Sequence, residues 1–198
     1  MTKFKLSLLF GLISAILLSV SNFNVKCEDL RQNVLRLHII ANSDTESDQN
    51  LKLKVRDEVL QYTYTLFNNA KSKYEAENVI SDNLQNISNV AYKTVLDNGF
   101  DYPVKAEITN MYFTTRYYEN YTLPSGKFDA LRITIGSGKG KNWWCVMYPS
   151  ICISSVKEQD EKARDTFDEQ QYDIIKNEQI QYKFKVVEVF EKICSFFS

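Results

Sequence analysis

The chain has 198 residues, of which 44% are hydrophobic and 25% are charged, and its formal net charge is −1. This composition is that of a globular protein, and the near-neutral charge excludes the bulk attraction that nonspecific binding to nucleic acid or to an anionic membrane requires. About 175 residues follow a predicted leader, a length typical of one domain.

Residues 1–21 have the layout of a secretory signal peptide. Two lysines precede the apolar run Leu6 to Val20, and the small residues Ser19 and Ser21 suit the positions just before a cleavage point. We predict cleavage near Ser21 and a domain over residues 28–198.

An uncleaved signal anchor is the alternative. The uncharged stretch from Leu6 to Val25 is about as long as the roughly 20 residues that span a bilayer. In both cases the two lysines stay on the cytoplasmic side, so the rest of the chain is predicted to face outward.

One strand and two amphipathic helices are predicted next. Residues 35–40 alternate in the period-two pattern of a strand with one apolar face. Apolar residues at helical spacing then predict a helix from about Thr45 to Asn68, with Ser43 and Glu46 as its capping box. A second stripe, from Ile80 to Val95, predicts another helix.

The second half of the chain is predicted to be mostly sheet. Residues 104–115, 131–135 and 143–148 are rich in β-branched and aromatic residues. The glycine-rich segment 136–140 is predicted to be a hairpin loop. Residues 157–171 are mostly charged, which predicts a solvated loop without a core.

The predicted fold class is α+β, a single domain with two amphipathic helices packed on a mixed or antiparallel sheet and a C-terminal helix. That last helix has apolar residues on one side over residues 186–197. It is predicted to pack against the domain, and binding to a membrane surface or to a protein partner is the alternative.

Cysteine spacing predicts a disulfide between Cys145 and Cys152. They lie seven positions apart with Pro149 between them, a spacing that a turn can bring within bridging distance. Two buried thiols are the alternative. The chain has one histidine and no paired short Cys-x-x-Cys spacing, so neither a zinc site nor any other cofactor is indicated.

His38 is the only histidine available as a general base. An exported hydrolase that uses His38 with one of the many serines and acids is therefore an alternative function. A structural or interface role is favoured, because His38 lies within a predicted strand. A cysteine nucleophile, Cys145 or Cys152, conflicts with an oxidising compartment.

The segment from Gly136 to Asn142 has the glycines and lysines of a phosphate-binding loop, but a strand is predicted to follow it where such a loop requires a helix. Trp143 and Trp144 would then point to opposite faces of that strand. An exposed tryptophan there is a candidate anchor for a protein partner, and burial of both is the alternative.

Two motifs resemble the stage II sporulation protein R family. The first is LRLHIIANSD at residues 35–44, followed by Asp48-Gln49 and by LKLKVRD at 51–57. The second runs from ALRI at 130–133 through IGSGKGKNWWCV at 135–146 to Cys152. The resemblance covers residues 30–152 and, more loosely, 184–192.

The resemblance implies a secreted signalling protein of endospore-forming bacteria, located between the forespore and mother-cell membranes. Its implied partner is a membrane-embedded aspartic protease of the mother cell, which processes the inactive precursor of the early mother-cell sigma factor. The protein itself would not be an enzyme. The residues predicted to contact the partner are Arg36, His38, Asn42, Asp44, Asn142, Trp143 and Trp144, with Cys145 and Cys152 holding the second segment.

Overall fold

The computed structural model of the chain describes residues 2–67, 70–118, 121–151, 156–176 and 183–189. Residues 183–189 are helical. The other elements, in chain order, are α1 (Thr2–Gln32), β1 (Leu35–Ile40), α2 (Glu46–Leu66), α3 (Lys73–Asp82), α4 (Leu84–Asp97), β2 (Val104–Phe113), β3 (Arg116–Tyr117), β4 (Thr122–Leu123), β5 (Gly126–Ile135), β6 (Asn142–Tyr148), α5 (Val156–Thr166) and α6 (Glu169–Lys176).

The main sheet has four strands in the order β2-β5-β1-β6. The central strand β1 pairs parallel with β5 and antiparallel with β6, so the sheet is mixed and the α+β prediction is confirmed. Because β1 lies between β5 and β6, residues 136–141 are not the predicted hairpin loop. They cross the C-terminal end of β1, and this crossing brings the two sequence motifs together.

Helices cover one face of this sheet. Leu35, Leu37 and Ile39 alternate along β1 and are fully buried. They share a hydrophobic core with residues of α2 and α4 that recur at helical spacing. Burial of each such side chain stabilises the fold by about 1.5–3 kcal/mol. The helical members of this core include Leu51, Val55, Val59, Ile87, Ala91 and Val95.

The helix boundaries differ from the sequence prediction in two places. The N-cap of α2 is Thr45, whose side chain accepts from the Asp48 backbone N–H, so the predicted Ser43–Glu46 capping box is wrong. The predicted second helix is two helices, α3 and α4, which meet at Asn83. The apolar stripe did not reveal this break, because the stripe continues across it. Ile80 before the break and Ile87 after it are both buried.

The charged segment 157–171 is not the predicted loop. It forms most of α5 and the start of α6. Ala163 and Phe167 lie four positions apart and are buried, so the segment has an apolar face that its high charge conceals. Arg164 pairs with Asp160 one turn earlier, as expected on the solvated side of a helix.

The chain packs into two compact units. One comprises residues 32–111 and 127–168 and contains the helix-covered core. The other comprises residues 1–31, 112–126 and 169–198. The domain boundaries predicted from the sequence stay predictions.

In the second unit, the side chains of α1 are exposed up to residue 22, and buried side chains occur beyond it. Every described side chain from Lys3 to Asn22 is exposed, whereas Cys27 and Leu30 are fully buried. The rings of Phe23 and Phe184 lie 5.6 Å apart, and the Arg31 Nε donates to the Ser125 carbonyl at 2.9 Å. Within the described residues, no helix combines the length and apolar character that crossing a membrane requires.

Candidate functional site

The first feature of the candidate site is a row of side chains on the sheet face opposite the helices. His38 of β1 lies beside Arg132 of β5 on one side and Trp144 of β6 on the other. Arg132 forms a 2.7 Å ion pair with Glu107 of β2. We call Glu107, Arg132, His38 and Trp144 the polar row, because it crosses all four strands.

His38 is held tightly within the polar row. Its ring stacks on Trp144, with ring centroids 3.9 Å apart and planes inclined by 7°, and its Nε2 lies 2.8 Å from the Asn142 Oδ1. The imidazole is only 3% exposed, whereas Trp144 is partly exposed and Asn142 is exposed. His38 therefore supports an accessible tryptophan and amide instead of facing solvent itself.

Glu107 at the end of the polar row is held in its charged form. A hydrogen bond from Lys105 lowers the pKa of this carboxyl, burial opposes that effect, and the charge of Arg132 lowers the pKa further. The net pKa lies below its ordinary value. At neutral pH, Glu107 and Arg132 are thus a charged pair beside the His38–Trp144 stack.

Asn42 and Asp44 hold the glycine-rich segment over the end of β1. The Asn42 Oδ1 accepts the Ser137 backbone N–H at 2.9 Å, and the Asp44 Oδ1 accepts the Lys141 backbone N–H at 2.6 Å. A Cβ atom at Gly140 would lie 2.2 Å from the Ser43 carbonyl oxygen, so only glycine fits this approach. These two predicted contact residues have a structural role.

The same contacts rule out a phosphate-binding loop. Such a loop presents free backbone N–H groups to the ligand. Here each backbone N–H from Gly136 to Lys141 donates to an acceptor within the chain. The acceptors, in order, are the Pro103 carbonyl, the Asn42 Oδ1, the Ile135 carbonyl, the Asn42 carbonyl, the Ala41 carbonyl and the Asp44 Oδ1.

Asp48 is a buried part of this structure that was not predicted as a site residue. Its Oδ2 accepts from the Asn42 amide at 2.9 Å and from the Ser43 hydroxyl at 2.5 Å. Burial alone would raise the pKa of Asp48, but these hydrogen bonds outweigh it and the pKa is lowered. The carboxylate thereby fixes Asn42, which in turn fixes the glycine-rich segment.

Trp143 and Arg36 lie apart from the stacked pair. Trp143 is partly buried against the helix-covered core, and the Arg56 guanidinium lies 4.4 Å from the centroid of its ring system. Arg36 is fully buried, donates through Nε to the Cys145 carbonyl at 3.1 Å, and lies 5.0 Å from the Phe128 ring centroid. Arg36 thus does not reach the surface in this structure, and its predicted contact with a partner stays a prediction.

Only one of the two cysteines in the predicted disulfide lies within the described residues. Cys145 is buried, with 3% of its surface exposed, whereas Cys152 lies outside the described residues. The Cys145–Cys152 disulfide stays a prediction. Cys194 also lies outside the described residues.

A cleft of about 410 Å³ is a separate feature of the structure, and sequence reasoning did not find it. Tyr64, Phe67 and Tyr148 line it together with Lys162, which donates to the Tyr64 hydroxyl and to the Ser150 carbonyl, both at 3.4 Å. Its lysine comes from α5, which the sequence had predicted to be a loop, so no pattern could place it there.

Comparison with known proteins agrees with the two motifs. The family model described as stage II sporulation protein R matches residues 31–158. The chain is 37% identical over 134 residues to the stage II sporulation protein R of Bacillus subtilis (strain 168). That match covers 65% of this chain and 60% of the relative, so it spans less than two thirds of the relative's length. No solved structure matches the chain.

Proposed function

Because the chain belongs to the stage II sporulation protein R family, we propose that it is the secreted intercellular signal of endospore formation that this family membership implies. It would act between the forespore and mother-cell membranes and activate a membrane-embedded aspartic protease of the mother cell. That protease would process the inactive precursor of the early mother-cell sigma factor. The match over residues 31–158, which contains both motifs, carries this proposal.

The pattern of exposure along α1 supports export. A signal peptide is recognised by the secretion machinery as an apolar segment and is removed from the mature protein. The described side chains from Lys3 to Asn22 are all exposed. Cleavage near Ser21 would therefore remove no buried side chain from the mature domain. Burial begins just beyond, and Cys27 and Leu30 would remain with the mature domain.

Activation by binding requires differential affinity for two states of the protease. A signal that bound the active and inactive states equally would shift nothing, however tightly it bound. A rigid contact surface favours such discrimination, because little conformational entropy is lost on binding. The surface around His38 has this property: His38 and Asn142 fix one another, and the stacked His38 ring fixes the Trp144 indole.

Trp144 and Asn142 are the residues that we propose to contact the protease directly. Trp144 presents a large, partly exposed aromatic surface on a strand, and aromatic residues supply much of the binding energy at protein interfaces. His38 would act as a positioning residue beneath Trp144. No catalytic group, metal or cofactor is part of this proposal, and nucleic acid is not a partner in it.

The hydrolase alternative is not favoured by the geometry. A general base has to reach the proton that it removes. The Nε2 of His38 is engaged by Asn142 and the ring lies under Trp144, with 3% of the residue exposed.

The membrane-contact alternative concerns residues 186–197, of which the structure describes only 186–189. In that part Val187 is buried, whereas Val186 and Val189 are exposed.

The test is processing of the sigma-factor precursor in sporulating cells that express secreted variants. Trp144→Ala, exported and folded like the wild type, is expected to reduce processing about tenfold or more, since interface anchors contribute 2 kcal/mol or more. Trp144→Phe is the matched control and should retain most of the signal. Wild-type processing by Trp144→Ala would show that the polar row is not the contact surface. A full deletion that leaves processing unchanged would overturn the proposed function itself.

A further inference from the structure

The cleft of about 410 Å³ lies wholly within the unit that comprises residues 32–111 and 127–168. The end of α2, the end of β6 and α5 contribute its walls. Its volume is within the range of roughly 300–1,000 Å³ that is typical of ligand sites in proteins. None of the four residues of the polar row lines it, so the cleft is a separate site.

The floor of the cleft is apolar and uncharged. We call Phe67, Tyr148 and Pro149 the floor, because they are buried residues of the cleft lining. The rings of Phe67 and Tyr148 meet edge to face, with centroids 6.0 Å apart. Burial raises the pKa of the Tyr148 phenol, the charge of Glu75 raises it further, and a hydrogen bond with Thr166 opposes both effects. The phenol is therefore neutral at physiological pH, and the floor suits an apolar side chain.

The rim of the cleft carries both hydrogen-bond donors and an acceptor. Lys71 and Lys162 supply ammonium groups, and Asp165 supplies a carboxylate. The Lys162 ammonium donates to the Tyr64 hydroxyl and to the Ser150 carbonyl, both at 3.4 Å. Well-formed hydrogen bonds reach only about 3.2 Å, so these two contacts are weak. Neither Lys71 nor Asp165 has an ion pair in the part of the chain that the structure describes.

The charges at the cleft balance. Lys71, Lys162 and Asp165 line it, and Glu75 lies close enough for its charge to raise the pKa of Tyr148. Two cations thus face two carboxylates, and the cleft as a whole attracts neither anions nor cations. A neutral ligand that brings its own donors and acceptors is the class that fits this lining.

Peptide segments and sugars are two such neutral ligands, and the floor favours a peptide. A sugar ring packs flat against an open aromatic face. Phe67 and Tyr148 are only 8% and 7% exposed and pack on each other, and the Lys162 ammonium lies 4.4 Å from the Tyr64 ring centroid. An aromatic side chain can instead insert against ring edges, which is a favourable arrangement of aromatic rings.

We propose that the cleft binds a neutral peptide segment of the proposed protease partner, with an aromatic side chain such as phenylalanine inserted against the floor. Backbone carbonyls on either side would accept from Lys71 and Lys162, and a backbone N–H would donate to Asp165. This inference rests on the proposed function for the identity of the partner. It adds a second contact to the one proposed at Trp144.

The experiment titrates the purified full chain with the blocked tripeptide acetyl-Gly-Phe-Gly-amide and follows the ring signals of Phe67 and Tyr148 by NMR. The expected result is saturable movement of both signals that changes little with salt, because the ligand carries no charge. The corresponding peptides with aspartate or lysine in place of phenylalanine should bind at least tenfold more weakly, since the floor would desolvate their charge.

Variants of the rim test the hydrogen bonds. Asp165→Ala and Lys71→Met should each weaken binding of the phenylalanine peptide about fivefold, the effect of one hydrogen bond. Lys139→Met removes an exposed lysine outside the cleft and should change nothing. Asp165→Asn keeps an acceptor, so it should retain the phenylalanine peptide. It should also strengthen binding of the aspartate peptide, because two cations then face one carboxylate.

Several results would overturn the inference. These are absence of binding, equal binding of the three peptides, or equal weakening by Lys139→Met. A trimer of N-acetylglucosamine that moves the same ring signals more strongly than the phenylalanine peptide would make the cleft a sugar site instead. In sporulating cells, Lys71→Met with Asp165→Ala should reduce sigma-factor processing several-fold. Wild-type processing by this variant would show that the partner does not use the cleft.

The outcomes separate this inference from the proposed function. Peptide binding is measured without the protease, so it depends on the cleft alone. If the phenylalanine peptide binds as expected and deletion of the chain leaves sigma-factor processing unchanged, the proposed function fails and the cleft remains a peptide site. If processing depends on the chain but the peptide does not bind, the inference fails alone.

Discussion

His38 and Trp144 stack face to face across neighbouring strands, with their ring centroids 3.9 Å apart. The tryptophan shields the only histidine of the chain, which is 3% exposed, and the Asn142 amide engages its Nε2. The side chain that looked most like a catalytic base is therefore the support of an aromatic surface. This arrangement makes the two roles separable by experiment.

We expect Trp144→Ala to lower the free energy of unfolding by about 2 kcal/mol, because it removes the stacking and part of the packing of a partly exposed tryptophan. Urea unfolding monitored by circular dichroism measures the change. Trp144→Phe should cost less than half as much, since a ring remains over His38. Equal losses for both variants would mean that the stack contributes little.

His38→Gln should leave sigma-factor processing within about threefold of wild type. Loss of a general base costs about 10²- to 10⁴-fold in rate, whereas a positioning residue that is replaced by another hydrogen-bonding side chain costs far less. Processing is measured in sporulating cells and folding by thermal unfolding of the exported variant. A folded variant with processing reduced a hundredfold would revive the hydrolase alternative.

Asp44→Ala is expected to lower stability by about 1–2 kcal/mol, because the Lys141 backbone N–H loses a charged acceptor. Hydrogen exchange at Lys141 should become faster while exchange in α2 changes little. Asp44→Asn retains an acceptor at the same place and is the matched control. Unchanged exchange at Lys141 in the alanine variant would show that Asp44 does not hold the segment.

Acid should destabilise the fold through Asp48 and Asp129. Burial would raise the pKa of each carboxyl, but hydrogen bonds outweigh burial. Asp48 accepts from Ser43 and Asn42, and Asp129 accepts from Lys73 and Asn110. The pKa of each carboxyl therefore lies below the ordinary value of 3.8. Because the folded-state pKa is the lower one, their stabilisation is complete well above pH 3.8 and is lost as the pH falls through the folded values.

The measurement for this acid effect is the free energy of unfolding from pH 7 to pH 2. We expect a plateau at higher pH and a decline below about pH 4. Asp48→Asn should be less stable at pH 7 and should show a shallower decline. A parallel curve for the variant would mean that Asp48 does not contribute to the pH dependence.

N-terminal sequencing of the exported protein should find a first residue near Asn22. Deletion of residues 2–21 should leave the unfolding temperature unchanged, because their described side chains are exposed. Deletion through residue 31 should destabilise the protein strongly, since it removes Cys27 and Leu30, which are fully buried. A mature protein that begins beyond Leu30 would contradict this assignment.

The sequence predicted local structure better than it predicted contacts. The alternation in 35–40 and the stripe that begins at Leu51 are periodic signals, and both elements are present. The position of β1 between β5 and β6 depends on pairing over long distances, which no local pattern encodes. The hairpin prediction failed for this reason, and α5 was missed because its charge conceals a narrow apolar face.

The candidate site was predicted as a region but not as an arrangement. All seven predicted contact residues belong to the two motifs, and the structure brings those motifs together at β1 and β6. Which side chains face outward depends on the sheet register, and the sequence alone left it open. His38, Asn142 and Trp144 share one face of the sheet, and Trp143 lies on the other. Asn42 and Asp44 hold the segment that joins β5 to β6.

The central place of β1 has a consequence for the proposed export of the chain. β1 leaves the ribosome early, yet Leu35 pairs with Asp129 and with Tyr148, about a hundred positions later. A sheet of this topology forms slowly, because the entropy of closing a long loop is lost before strand pairing contributes favourable free energy. The nascent chain thus lacks a completed sheet until most of it has been made, which would suit the export that we propose, since a chain that crosses a membrane unfolded must not complete its sheet beforehand. Under that proposal, folding would be completed on the far side of the membrane.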